Sequence, residues 1–260
     1  MANPEPLLLL RCARCCFAFL LACLVSNCTG LAQTAGENPA FARVNSFGFL
    51  AAYSNDSSHM LLGTAERRKL LEFGGSYNRR ILLGRRVDWQ YSAELLPVAL
   101  ESDPLSEVII RQELPSADTE TFLAGPVVYC ALQTVNYKFT DPKGVVHSGI
   151  ETSFCRHRQW TVGEAFSPVG LQWNFRPRRK LQPFLDWHGG FMYSTKPIPI
   201  SLAGSFNFTA DAGAGFELYR TPTQSFRVEY RYHHISNANS ATYNPGIDSG
   251  VLQVTYAFGR

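Results

Sequence analysis

From about residue 45 onward, polar and apolar residues take turns along most of this 260-residue chain, and a period of two commits it to strands. Side chains on an extended backbone alternate faces. One face of a strand therefore collects Val87, Trp89, Tyr91, Ala93 and Leu95, and the other collects Asp88, Gln90, Ser92 and Glu94. The same separation recurs over 47–53, 71–77, 169–175, 185–193, 206–218, 226–232 and 252–258, which makes eight strands.

A soluble sandwich and a membrane barrel both accommodate such alternation, with opposite faces buried. The apolar faces here are rich in Phe, Tyr and Trp, as in an aromatic girdle, and aromatic residues make up 13% of the chain. Ten residues at about 3.3 Å each, tilted by about 45°, span roughly the apolar band of an outer-membrane barrel. Short connections at 78–85, 177–181 and 219–224 alternate with longer ones at 55–66, 97–165, 194–204 and 235–246. The expected fold is an all-β, eight-stranded antiparallel transmembrane β-barrel of the outer-membrane type, with both termini periplasmic and the long loops outside. Within 97–165 the stretches "ESDPLSE", "PSADTE" and "DPKG" read as loop, and strands or a helix in 120–140 stay open.

The N-terminus reads as a secretory signal over residues 1–32, followed by a single barrel domain over 33–260. Arg11 and Arg14 precede the apolar run Cys15 to Val25, and "GLA" ending at Ala32 offers a cleavage site. "LLAC" ending at Cys23 is a weaker match to a lipoprotein signal. Five of the seven cysteines lie in this segment, leaving Cys130 and Cys155, whose spacing does not decide whether they pair. A net charge of +3, with no Lys/Arg block long enough to make a phosphate-binding stripe, does not suggest a nucleic-acid partner.

The last hairpin carries the chemistry. His234 and Ser236 continue the apolar parity of Phe226, Val228, Tyr230 and Tyr232, so they face lipid near the loop end. Asp248, across the turn, shares parity with Leu252, Val254, Tyr256 and Phe258 on the outward face of the next strand. A serine hydroxyl becomes nucleophilic when a histidine takes its proton and an acid orients that histidine. The roles expected are His234 as base, Ser236 as nucleophile and Asp248 as orienter. The Asn237 amide and the N–H groups of Ala238 to Ser240 are candidate donors to an oxyanion, and Asn244 is a candidate member of the active-site loop. A site facing hydrocarbon suits an ester-bearing lipid that arrives by lateral diffusion, with its acyl chain along Tyr230, Tyr232 and Leu252.

At "HISNA", Asn244, Gly246, Ile247 and the acid Asp248, the sequence resembles the PagL-type lipid A 3-O-deacylases, at that family's spacing from histidine to acid. The resemblance implies an eight-stranded outer-membrane barrel with a Ser-His-acid triad on its lipid-facing surface. Lipid A or lipopolysaccharide would be the substrate, no cofactor is needed, and outer-membrane lipid is the surrounding partner. It covers about the last 35 residues sharply and the rest only in architecture. Two positions depart from the family pattern. Asp248 stands where the usual acid is glutamate, one methylene longer, and Asn239 stands where a glycine would supply an oxyanion amide.

Alone, His-x-Ser-Asn is an ordinary strand end; the lipid-facing placement and the acid on the neighbouring strand are what lift it. His233 groups with Arg231 and Glu229 as lumen packing, as do His188 and Asp186, and His147 and His157 lack convincing metal-ligand spacing. Against the esterase stand a non-enzymatic barrel serving adhesion or envelope integrity, and a periplasmic β-sandwich. The sequence leaves open which acyl position is cut and whether protomers form a homo-oligomer.

Overall fold

A computed structural model describes residues 41–112 and 119–260; the expected signal at 1–32 lies outside them. The alternating segments form β1 (Asn45–Ser54), β2 (Lys69–Leu83), β3 (Val87–Gln112), β4 (Thr119–Pro126), β5 (Gln133–Thr140), β6 (Val146–Phe175), β7 (Leu181–Ser194), β8 (Phe206–Thr221), β9 (Gln224–Ser236) and β10 (Ile247–Gly259). All pairings are antiparallel between sequence neighbours, except that β1 pairs with β10 and β3 pairs with β6. That last pairing closes β3, β2, β1, β10, β9, β8, β7 and β6 into an eight-stranded ring. No helix among the described residues is long and apolar enough to cross a membrane.

The ring is inverted relative to a soluble barrel. Phe49, Leu95, Phe216, Tyr230 and Leu252 point outward and are exposed, while Asp88, Glu94, Asp186, Glu217, Glu229 and Arg231 point inward and are buried. Water cannot favour such an exterior, so the surface belongs in hydrocarbon, and the fold is that of an outer-membrane-type barrel. Eight strands leave an interior just wide enough for side chains, and ion pairs fill it. Arg231 bonds Glu94 at 2.8 Å and also contacts Glu229 and Asp186. Arg227 pairs with Glu217 at 3.4 Å and donates to Asn78 at 2.7 Å. His233, inward as expected, contacts Asp211, and His188 bonds Ser92 at 2.9 Å.

Each end of the lumen is shut by an arginine. Where the short turns and the barrel's terminal residues lie, Arg43 reaches in to Glu217 and bonds Ser225 at 2.6 Å and the Ala257 carbonyl at 3.1 Å. At the long-loop end the lumen turns apolar, with Leu70, Leu96, Met192, Ile235 and Val251 packed against Ala65 and Ile198 from the loops. Arg68, fully buried, lies over this cluster. It bonds Asp103 at 3.0 Å and the carbonyls of Val127 at 2.7 Å, Val128 at 3.1 Å and Pro199 at 3.1 Å.

The region 97–165 departs from expectation. "ESDPLSE" lies within β3, "DPKG" is the tight turn between β5 and β6, and "PSADTE" falls mostly outside the described residues. β3 and β6 pair far past the other ring strands, as far as Gln112 opposite Gly149. β4 and β5 flank them, giving a four-stranded flap of order β4-β3-β6-β5. Pro97, Pro104 and Pro168 sit close to register shifts between Leu96 and Ala99, Leu105 and Glu107, and Phe166 and Val169, as prolines in strands do. Cys130 and Cys155 form a disulfide with Cα atoms 5.9 Å apart, tying the segment before β5 to β6.

Candidate active site

Strand register brings the predicted acid and base face to face. Asp248 lies directly opposite His234 in the β9–β10 ladder, where paired side chains share a face and sit within reach of each other. The carboxylate accepts from the imidazole Nδ1 at 2.6 Å, and this bond leaves Nε2 as the free acceptor of a neutral ring. The shorter aspartate reaches the imidazole because its partner is straight across the ladder.

Three further donors hold the acid. Tyr232 hydroxyl donates to the same carboxylate oxygen at 2.7 Å, and the amides of Leu61 and Leu62 donate to the other at 2.7 Å and 2.8 Å. With the imidazole bond these four occupy the acceptor positions of an ionised carboxylate. The Tyr232 and His234 rings lie nearly parallel, with centroids 6.4 Å apart. The amides come from the β1–β2 loop, which folds back over β10: Ser57 bridges to Ser249, Ala65 bridges to Ile247, and Thr64 N–H donates to the Pro245 carbonyl at 2.6 Å. That approach needs glycine at position 63, where a Cβ would fall 2.6 Å from the Asp248 nitrogen.

Ser236 shares the outward face of β9 with His234, but its hydroxyl is bonded to the loop. Its hydroxyl oxygen accepts from Ala238 N–H at 3.1 Å and from the Asn244 amide at 3.2 Å, and among the described residues no hydrogen bond joins it to His234. Ser236 is two residues from His234 on the same face, and χ1 rotation is the freedom that redirects its hydroxyl.

The asparagines divide their work differently from expectation. Asn237, expected to offer its amide to an oxyanion, spends it on the carbonyls of Ala203 and of Tyr243, the latter at 2.8 Å. Its own carbonyl oxygen accepts from Asn239 N–H at 2.9 Å, so Asn237 is a loop brace and the Asn239 N–H is occupied. Asn239 has a left-handed backbone, at φ 63° after Ala238 at φ 49°, a region that Asn enters more readily than most residues. Asn244 is the asparagine whose amide reaches Ser236, while its oxygen accepts from Asn237 N–H at 3.1 Å. Tyr232, read from sequence as part of the acyl surface, holds the acid as well; its even parity with His234 was the available sign. Backbone amides of Leu61 and Leu62 have no signature in sequence. No cluster of potential metal ligands occurs among the described residues.

Comparison with known proteins finds a family that these strands resemble. Residues 133–257, which run from β5 through almost all of β10 and include His234, Ser236 and Asp248, match the family model of lipid A 3-O-deacylase (PagL). Over this part the chain is similar to the PagL family. No curated protein sequence matches the chain. Among solved structures, the crystal structure of the outer membrane enzyme PagL is similar at 14% identity and a TM-score of 0.47, over 82% of this chain and 99% of that one. Neisserial surface protein A (NspA) is similar at 13% identity and a TM-score of 0.39, over 83% of this chain and 97% of that one.

Proposed function

We propose that this protein is an outer-membrane serine esterase that removes an ester-linked acyl chain from lipid A or lipopolysaccharide, as the PagL family match implies. The observation that carries the reading is the His234–Asp248 contact at 2.6 Å on the lipid-facing side of the barrel, two residues from a serine. Such a contact on the greasy face has no use for a water-soluble substrate, whereas a lipid of the same leaflet reaches it sideways.

In the proposed reaction, Ser236 hydroxyl turns from Ala238 and Asn244 toward His234 Nε2, which takes its proton as the oxygen attacks the acyl carbonyl. The Asn244 amide and Ala238 N–H, released from the hydroxyl, are the donors proposed for the oxyanion. Collapse of the tetrahedral intermediate expels the sugar oxygen, which takes the proton from His234. Water, deprotonated by the same imidazole, then cleaves the acyl-serine and frees the fatty acid. Asp248 stays ionised throughout, and Tyr232 with the two loop amides keeps it aimed.

Ser236→Ala tests this directly. Lipid A incubated with the purified variant is expected to release fatty acid at least about a thousandfold more slowly than with the wild type, while heat-modifiable gel migration shows an intact barrel. Full activity in the variant removes Ser236 as nucleophile. Unchanged lipid A mass with the wild type as well would favour the adhesive-barrel reading.

A further inference from the structure

The end of the barrel opposite the candidate active site carries charge of a different kind. Every arginine that enters the lumen meets an acid there: Arg43 with Glu217, Arg80 with Asp88, Arg227 with Glu217 and Arg231 with Glu94. At the turns 84–86 and 176–180 the pattern reverses. Arg85, Arg86, Arg176, Arg178 and Arg179, all exposed, surround a recess of about 440 Å³ together with Phe175. None of these five guanidiniums forms an ion pair among the described residues. Five like charges around one recess repel each other unless an anion joins them.

Two details show that the recess is built by the fold. Arg176 N–H donates to the Arg86 carbonyl at 2.8 Å, locking the two turns together at the β3–β6 seam that closes the barrel. Arg176 also has φ 61°, a region L side chains enter at a cost, so this arginine is not there for backbone reasons. On the membrane side of the recess, Trp89 pairs across the seam with Trp173, their rings edge to face at 5.9 Å. Tryptophans at that depth mark the level of lipid headgroups.

We propose that this seam is a binding site for an anionic phospholipid of the periplasmic leaflet. Its phosphate is held by the arginines of the two turns, and its acyl chains lie along Phe175, Trp173 and Trp89. Arginine forks suit phosphate oxygens, and the tryptophan pair supplies the apolar contact that a free anion would not use. The site is separate from the esterase reading and stands or falls without it.

The test is native mass spectrometry of the full chain in detergent, titrated with phosphatidylglycerol or phosphatidylcholine of matched acyl chains. Phosphatidylglycerol is expected to bind at least about tenfold more tightly. A variant with Arg85, Arg86, Arg178 and Arg179 changed to alanine is expected to lose that preference while keeping its heat-modifiable migration. The corresponding lysine variant, which keeps the charge, is expected to retain most of it. Equal binding of the two lipids by the wild type, or an undiminished preference in the alanine variant, overturns the proposal. Displacement of phosphatidylglycerol by millimolar inorganic phosphate would make the free anion the ligand and overturn the lipid assignment; failure to displace it supports the lipid.

Discussion

At the scale of single residues, the candidate site depends on how firmly one carboxylate is held. Asp248 is shorter than the family's usual glutamate, yet its place in the ladder opposite His234 makes up the reach. Tyr232→Phe removes one of its four donors. Because a hydrogen bond to a charged group contributes about 1.5–3 kcal/mol, this variant is expected to lose about tenfold in kcat/KM for fatty-acid release, with the barrel unaltered. Asp248→Asn is expected to cost more, about a thousandfold or beyond, since an amide in that position favours the wrong imidazole tautomer. Equal rates for wild type and Asp248→Asn would remove the acid from the mechanism. Odd-even position was enough to set His234, Ser236 and Asp248 on one face, because strand geometry fixes that directly. It gave no hint that Asn237 spends its amide on Ala203 and Tyr243, since a loop's internal bonds follow from a path that side-chain parity does not encode.

At the scale of elements, the β1–β2 loop joins the candidate site because it delivers the Leu61 and Leu62 amides to Asp248. Gly63→Ala tests that role, as its Cβ would meet the Asp248 nitrogen at 2.6 Å and a carboxylate oxygen at 2.9 Å. The loop must lift away, and a displacement of this size is expected to lower kcat/KM by about a hundredfold. Unchanged gel migration would show that the strands are unaffected; unchanged activity would show that the loop amides do not matter. The eight ring strands were legible because lipid outside and packed charge inside enforce opposite faces. Beyond the ring that contrast ends. In β5 the burial runs exposed at nearly every position, so the flap strands show little alternation to read, and "ESDPLSE" reads as loop although β3 runs through it.

At the scale of the whole molecule, stability rests on buried charge. Arg231 serves Glu94, Glu229 and Asp186 at once, and Arg231→Met would leave those carboxylates without their cation. Loss of one partner from a buried pair typically costs about 3–5 kcal/mol. The heat-modifiability transition of this variant is therefore expected to fall to lower temperature, and a transition at the wild-type temperature would show that the network contributes little. The polar lumen was expected from the inward residues, but the apolar cluster at its long-loop end was not, because Ala65 and Ile198 enter it from loops. With Arg43 at one mouth and Arg68 at the other, the described residues fill an eight-stranded interior that has room for little more than side chains. Reconstituted in a planar bilayer it is expected to be electrically silent, and an envelope crowded with copies would stay as leak-proof as one with none.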